Sequence, residues 1–242
     1  MRNVVVTGGG TGIGYEVARL FVEAGDQVVI TGRREKVLDD AAGRLGPSVR
    51  AVAFDASDPA AVTRALAELP DRVDVLVNNA GGNTDFDRAD PADDDLAALA
   101  DLYRTNFDAN VVSAMLMTTA LAPRLADGGR VLMLGSIAAR KAAGAYGAAK
   151  AAIESYTATV ATQLGPRGIT ANAVAPGLTL NTEFFRDTLT DSRRARLIGD
   201  TLTKRPGTTE DVAATLFFLA SPQARHITGQ VIHVDGGAYF GR

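Results

Sequence analysis

Short apolar runs alternate with helix-length segments along the whole chain, and that alternation leaves few folds open. The runs are Asn3–Thr7, Val28–Ile30, Val49–Phe54, Val73–Val77, Val131–Leu134, Ile169–Val174 and Gln230–Val234. After the first, Ile13, Val17, Leu20, Phe21 and Ala24 recur at helical spacing, with Gly25 placed to cap the end. Arg34–Leu45, stopped by Gly46-Pro47, and the stretch from Asp58-Pro59 to Leu69 read as helices. So do Leu96–Leu125, the stretch from Tyr146 with Ile153, Tyr156, Val160 and Leu164 on one face, and Glu210–Ala220. Strands joined through helices of this length need crossovers, which makes them parallel. The expectation is an α/β protein, one domain over residues 1–242, with a seven-stranded parallel sheet and helices on both faces.

Two stretches break the rhythm. Gly81–Asp95 carries Asp85, Asp87, Asp90, Asp93, Asp94 and Asp95 and reads as a surface loop. Its charges suit solvation and the start of the next helix better than a metal site, and no metal is expected. Residues 178–205 are polar and interrupted, as a mobile cover over a site would be.

Composition excludes several classes. With 46% hydrophobic content in 242 residues the chain can bury a large core. A net charge of −3 gives no reason to expect nucleic acid, and Arg193, Arg194 and Arg196 are offset by Asp187, Asp191 and Asp200. The absence of cysteine removes disulfides, thiolate metal sites and thiol nucleophiles. The two histidines, His226 and His233, lie near the C-terminus, His233 in a strand-like alternation, and neither is expected to be catalytic. No apolar run is long enough to span a bilayer, and the chain enters a strand at once with no leader pattern. A cytoplasmic protein is expected.

Chemistry gathers where strands end. Gly8-x-x-x-Gly12-x-Gly14 stands between a strand and a helix, the setting a phosphate-cradling loop requires. Arg33 follows the second strand, Asp55 the third, Asn78-Asn-Ala-Gly81 the fourth, Ser136 the fifth and Pro176-Gly177 the sixth. In parallel open sheets, ligands bind beyond the carboxyl ends of the strands. Tyr146 and Lys150, at i and i+4, share one helix face. A neighbouring ammonium favours the phenolate, so Lys150 is expected to lower the Tyr146 pKa and make it a usable acid/base.

Together Thr7-Gly8-x-x-x-Gly12-Ile13-Gly14, Asn78-Asn-Ala-Gly81, Ser136, Tyr146-x-x-x-Lys150, Pro176-Gly177 and Thr228–Gly237 resemble the short-chain dehydrogenase/reductase family over essentially the whole chain. The resemblance implies a Rossmann fold, a nicotinamide cofactor and hydride transfer to or from a carbonyl or alcohol carbon of a small molecule. It gives Tyr146 the proton donation, Lys150 the nicotinamide ribose and Ser136 the substrate oxygen. The family's catalytic asparagine usually precedes a helix-ending proline by thirteen residues, which selects Asn110 before Pro123 over Asn106. The implied cofactor-binding set is Gly8, Thr11, Gly12, Ile13, Gly14, Arg33, Arg34, Asp55, Ala56, Asn79, Ala80, Gly81, Tyr146, Lys150, Pro176, Gly177, Thr179 and Thr182. Family members commonly pair the two long helices between subunits, so a homotetramer or homodimer is expected. A 3-oxoacyl-thioester reductase is the best-populated specific case.

Three departures stand out. The Ser136–Tyr146 interval is shorter than the family's usual spacing, so the pocket-lining loop Ile137–Ala145 is trimmed. Where the family has Pro-Gly-x-x-x-Thr, Asn181 takes the expected place and Thr182 follows, so either would hold the carboxamide. Arg140 and Lys141 stand in the trimmed loop, either to meet an anionic substrate or carrier or, as exposed loop charges usually are, with no specific role. Cofactor choice has its own signal. NAD-preferring enzymes place a carboxylate at the end of strand two, whereas this chain reads Thr31-Gly32-Arg33-Arg34. Gly32 leaves room for a 2′-phosphate and Arg33 can meet it, with Arg34 helping or simply opening the helix, so NADP(H) is expected over NAD(H). The competing readings are a catalytically silent nucleotide-binding regulator and a lyase-like relative that has abandoned the nucleotide. Retention of Ser136, Tyr146, Lys150 and Asn110 speaks against the first, and the intact glycine loop and lysine against the second.

Overall fold

The computed structural model describes residues 1–87, 91–92, 94–141, 143–185 and 188–240. The readings made above for Asp90, Asp93 and Asp187, and for Ala142 in the trimmed loop, fall outside them. Seven strands form one parallel sheet: β1 (Asn3–Thr7), β2 (Gln27–Gly32), β3 (Val49–Ala53), β4 (Val73–Asn78), β5 (Leu125–Leu134), β6 (Thr170–Pro176) and β7 (Val231–Val234). Their order across the sheet is β3-β2-β1-β4-β5-β6-β7, the doubly wound arrangement.

Successive side chains of a strand point to opposite faces, and both faces are covered. Val5, Val29 and Leu76 point one way and pack with Met117, Leu121, Ile153 and Val160. Val4, Val6, Ile30 and Val77 point the other way, against Val17, Phe21, Leu38, Val212 and Leu216. The first face is covered by α3 (Pro59–Ala65), α4 (Leu96–Phe107), α5 (Ser113–Leu121) and α6 (Gly144–Leu164). The second is covered by α1 (Gly12–Glu23), α2 (Glu35–Leu45) and α8 (Thr209–Leu219), while α7 (Asp191–Gly199) lies in the segment after β6.

Three expected elements differ. The segment from Asp58 stops being helical at Ala65 rather than Leu69, though Leu69 stays buried. Residues 178–205 contain α7, capped by the Thr190 hydroxyl, a helix that the reading of a polar, interrupted segment did not include. The long helix from Leu96 is not continuous either. It is interrupted by a π turn at Asp108–Val112, tightens to a 3-10 turn at Ala122–Arg124 around Pro123, and Leu125 already pairs with Val73 in the sheet. Proline lacks the donor a further helical turn needs. The π turn contains Asn110, described below.

Candidate active site

β1 and β4 lie side by side at the point where the chain reverses its direction of winding, and their carboxyl ends carry the two glycine-bearing motifs. The loop after β1 turns through left-handed backbone at Gly8 and Gly12 (φ +66° and +55°). It folds back so tightly that a Cβ on Gly14 would run into the Gly8 carbonyl oxygen. This brings the first amides of α1 to the carboxyl end of β1. Thr11 is the N-cap, its side chain makes no capping hydrogen bond, and no acidic residue occupies the first turn. A helix start of that kind accommodates a phosphate, so the cradle fits the pyrophosphate of a dinucleotide.

The loop is braced from β4. Asn79 Nδ2 donates to the carbonyl oxygens of Thr7 and Gly8, each at 3.0 Å. The amides of Asn79 and Ala80 both donate to the Thr7 hydroxyl at 3.0 Å. The side chain of Asn79 therefore holds the loop in shape. Next to it Gly81 abuts Asn110, where any Cβ would meet the Asn110 side-chain oxygen. Asn110 is buried in the π turn and pairs with Gly82 in both directions: Gly82 N–H donates to Oδ1 at 3.1 Å, and Nδ2 donates to Gly82 O at 2.9 Å. Nδ2 also donates to the Asn106 carbonyl at 3.0 Å. A residue doing this opens the helix locally, and π turns gather at functional sites. Asn106 is buried as well, but its amide serves Asp85 at 2.5 Å and the Leu102 carbonyl. Asp95 caps α4 by accepting from Ala98 N at 2.9 Å, so part of the aspartate-rich loop serves the helix start.

Ser136, Tyr146 and Lys150 come together at the end of β5. The Ser136 hydroxyl accepts from Ala138 N at 3.1 Å, fixing the short turn Ile137–Arg140, and is near enough to the Tyr146 phenol to work against the rise in its pKa. Tyr146 and Lys150 are buried on one face of α6. Lys150 Nζ donates to the Leu134 carbonyl at 2.7 Å and lies 5.8 Å from the centre of the Tyr146 ring. Burial pushes the Tyr146 pKa up, opposed only by Ser136. Burial also pushes Lys150 down, to about 7. The expected lowering of the phenol by a lysine charge is therefore not what this arrangement produces, because the lysine is itself desolvated.

The remaining strand ends differ in what they offer. Arg33 is exposed after β2, and its charge reaches Asp55 after β3. Burial works to raise the Asp55 pKa, but the Ser57 hydroxyl and amide, with Arg33, outweigh it and the net shift is downward. Ala56 is buried beside it. A Cβ on Gly32 would meet Leu38 at 3.7 Å, ordinary contact, so packing does not demand glycine there. Arg34 is the N-cap of α2 and pairs with Glu183 at 2.7 Å. Gly177, after Pro176, packs against Asp235, leaving no space for a Cβ. The Thr179 hydroxyl donates to the Gly177 carbonyl at 3.3 Å. Thr182 instead lies over Gly12, its Cγ2 3.5 Å from where a Cβ there would stand, and Asn181 adopts left-handed backbone at φ +61°. Arg140 is not free for a substrate, since it pairs with the buried Glu154 at 2.5 Å.

Sequence reasoning missed an aromatic wall. Phe184 packs on Tyr146 with centroids 5.4 Å apart, and on Phe86 and Phe185 at 5.7 and 5.0 Å. The Arg193 guanidinium lies 5.7 Å from the rings of both Phe86 and Phe185. The available signal was an adjacent phenylalanine pair inside an otherwise polar segment.

A single-domain doubly wound sheet with a glycine cradle at its switch point and a Ser–Tyr–Lys group beside it defines a nucleotide-dependent oxidoreductase of the Rossmann type. A family model described as enoyl-(acyl carrier protein) reductase matches residues 8–239. The 7alpha-hydroxysteroid dehydrogenase of Bacteroides fragilis is 36% identical over 246 residues, covering 97% of this chain and 93% of its own. The 3-oxoacyl-(acyl-carrier-protein) reductase FabG of Salmonella typhimurium is 32% identical over 243 residues, covering 98% and 96%. A blue fluorescent protein from a metagenomic library, solved in complex with NADPH, superposes with a TM-score of 0.86 at 31% identity, covering 99% of this chain and 98% of that one. The chain belongs to the short-chain dehydrogenase/reductase family.

Proposed function

We propose that the protein is an NADP(H)-dependent ketone reductase or secondary-alcohol dehydrogenase in which Tyr146 is the general acid/base. The observation that carries this is the meeting of Ser136, Tyr146 and Lys150 beside the glycine cradle. The nicotinamide, when bound, supplies or accepts the hydride. The Ser136 hydroxyl holds the substrate oxygen against the Tyr146 phenol. In reduction, Tyr146 gives its proton to that oxygen as the carbon becomes an alcohol. A phenol raised by burial stays protonated at neutral pH, the form that reduction requires. Lys150, near neutrality in its own titration, is poised to return the proton. Asn110 holds the Gly81–Gly82 backbone after β4.

The NADPH preference rests on Arg33 and on a Gly32 that packing does not require. The same reading has Thr182 over the glycine cradle and the protein acting in the cytoplasm. Among the described residues no helix is long and apolar enough to cross a membrane. A homodimer or homotetramer is part of this reading, and it is supported by α4, whose Leu96, Leu99 and Tyr103 form an exposed apolar stripe. Light scattering at micromolar concentration tests it, and a monomer would contradict it. The function itself is tested by following NADPH oxidation with a panel of ketones. Binding of NADPH without turnover across broad chemistry would favour the silent regulator instead.

A further inference from the structure

Three of the chain's nine phenylalanines meet at one place, although the segments that carry them are otherwise polar. Phe86 comes from the loop after β4, and Phe184 and Phe185 from the segment after β6. Phe184 stands at the centre. It meets Phe86 and Phe185 nearly edge to face (86° and 87°) and Tyr146 at a tilt of 55°. These are the geometries aromatic rings prefer. Phe184 packs directly on the Tyr146 ring, so a carbonyl held at the Tyr146 hydroxyl has this aromatic face for a neighbour. A flat ring matches that face in kind, whereas a flexible acyl chain does not.

The far side of the wall carries a charge. Arg193 of α7 lays its guanidinium over Phe86 and Phe185, a cation–π arrangement that fixes its position. Among the described residues it has no carboxylate partner, unlike Arg34, Arg140 and Arg205. The side chain is only half-buried, so its charge remains open to an incoming anion. The order from the reacting phenol outward is therefore Tyr146, Phe184, Phe185 and Arg193.

Resting on the reductase reading above, we infer that the substrate is a flat aromatic or fused-ring ketone bearing an anionic group, its ring against Phe184 and its anion at Arg193. Each lost ring contact should cost about 2- to 10-fold in affinity. Loss of the arginine should cost about 10-fold for an anionic ligand, the low end expected for a half-exposed charged contact.

The test measures binding and turnover separately. The probes are an acetyl-naphthoate, its neutral methyl ester, and a straight-chain oxo-acid of similar length. Binding is read by calorimetry on the NADPH-loaded Tyr146→Phe protein, and turnover by NADPH oxidation with wild type. The acetyl-naphthoate is expected to bind tightest. Arg193→Met should weaken it about 10-fold while leaving the methyl ester unchanged, and Phe184→Leu should weaken both aromatic probes but not the oxo-acid. Equal binding of all three probes, or an Arg193→Met effect that ignores the ligand's charge, would overturn the inference even if every ketone is reduced. Selective binding of the acetyl-naphthoate without reduction by wild type would instead uphold this pocket and overturn the reductase reading.

Discussion

Glu183 Oε2 lies 2.7 Å from Arg34 Nη2, tying the segment after β6 to the turn after β2, while the adjacent Thr182 lies over Gly12. The carboxylate thus occupies one of the two arginines that a 2′-phosphate would seek. Both side chains are 59% exposed, so the pair contributes at most about 1 kcal/mol. Glu183→Gln should free Arg34 and tighten NADPH binding by up to about 5-fold, leaving NADH unchanged. Fluorescence titration with both cofactors checks this, and equal effects on the two would contradict it.

Cofactor choice should turn on Gly32 and Arg33. A side chain at Gly32 meets only ordinary contacts, so Gly32→Asp should fold normally. The new carboxylate would accept ribose hydroxyls and repel a phosphate, moving the preference toward NADH. Arg33→Ala should cut the NADPH preference by about 10-fold, since Arg33 is exposed. Ratios of kcat/KM for NADPH and NADH report both, and a wild-type preference for NADH would refute the proposed role of this turn.

Asn110 should be structural as well as functional. Asn110→Ala leaves the Gly82 N–H and carbonyl, which are partly buried, without their side-chain partners. An unsatisfied group costs about 1–3 kcal/mol when fully buried and the low end of that when partly exposed, as here, and about 2–4 °C of Tm goes with each kcal/mol in a chain of this size. A lower Tm together with lower turnover is expected. An unchanged Tm would show that the π turn does not depend on this side chain.

The strands and their polar ends were legible because β1 and β4 are buried on both faces and therefore read as unbroken apolar runs. The glycine loop was legible from its place between a strand and a helix. The π turn was not, because it depends on a pairing of Asn110 with Gly82, 28 residues away in sequence. The effect of Lys150 on the Tyr146 pKa was misread for a related reason. Spacing placed Lys150 one turn from Tyr146, but only packing reveals that both are buried. Phe86 and Phe184 fall in segments without periodicity, so nothing local announced that they would meet.

Burial of Lys150 makes stability pH-dependent in the ligand-free protein. Its pKa falls from 10.5 to about 7 on folding, so between those values the unfolded chain binds a proton the folded one does not. Stability therefore rises with pH across that window and is lost as pH falls toward 7. Tyr146, raised from 10.0, opposes this only above pH 10, where the folded chain keeps the proton. Lys150→Met removes the buried charge and should melt at least about 2 °C above wild type near pH 6, with the gap narrowing near pH 9. A gap that widens with pH would contradict the assignment.

The central claim is that Tyr146 moves the proton that accompanies hydride transfer. Tyr146→Phe keeps the ring that packs on Phe184 and removes only the hydroxyl that meets Ser136. The decisive measurement is kcat for ketone reduction by this variant beside its NADPH dissociation constant. Turnover should fall by about 10²- to 10⁴-fold while NADPH binding stays within about 2-fold of wild type. Near-normal turnover in the folded variant would contradict the claim outright.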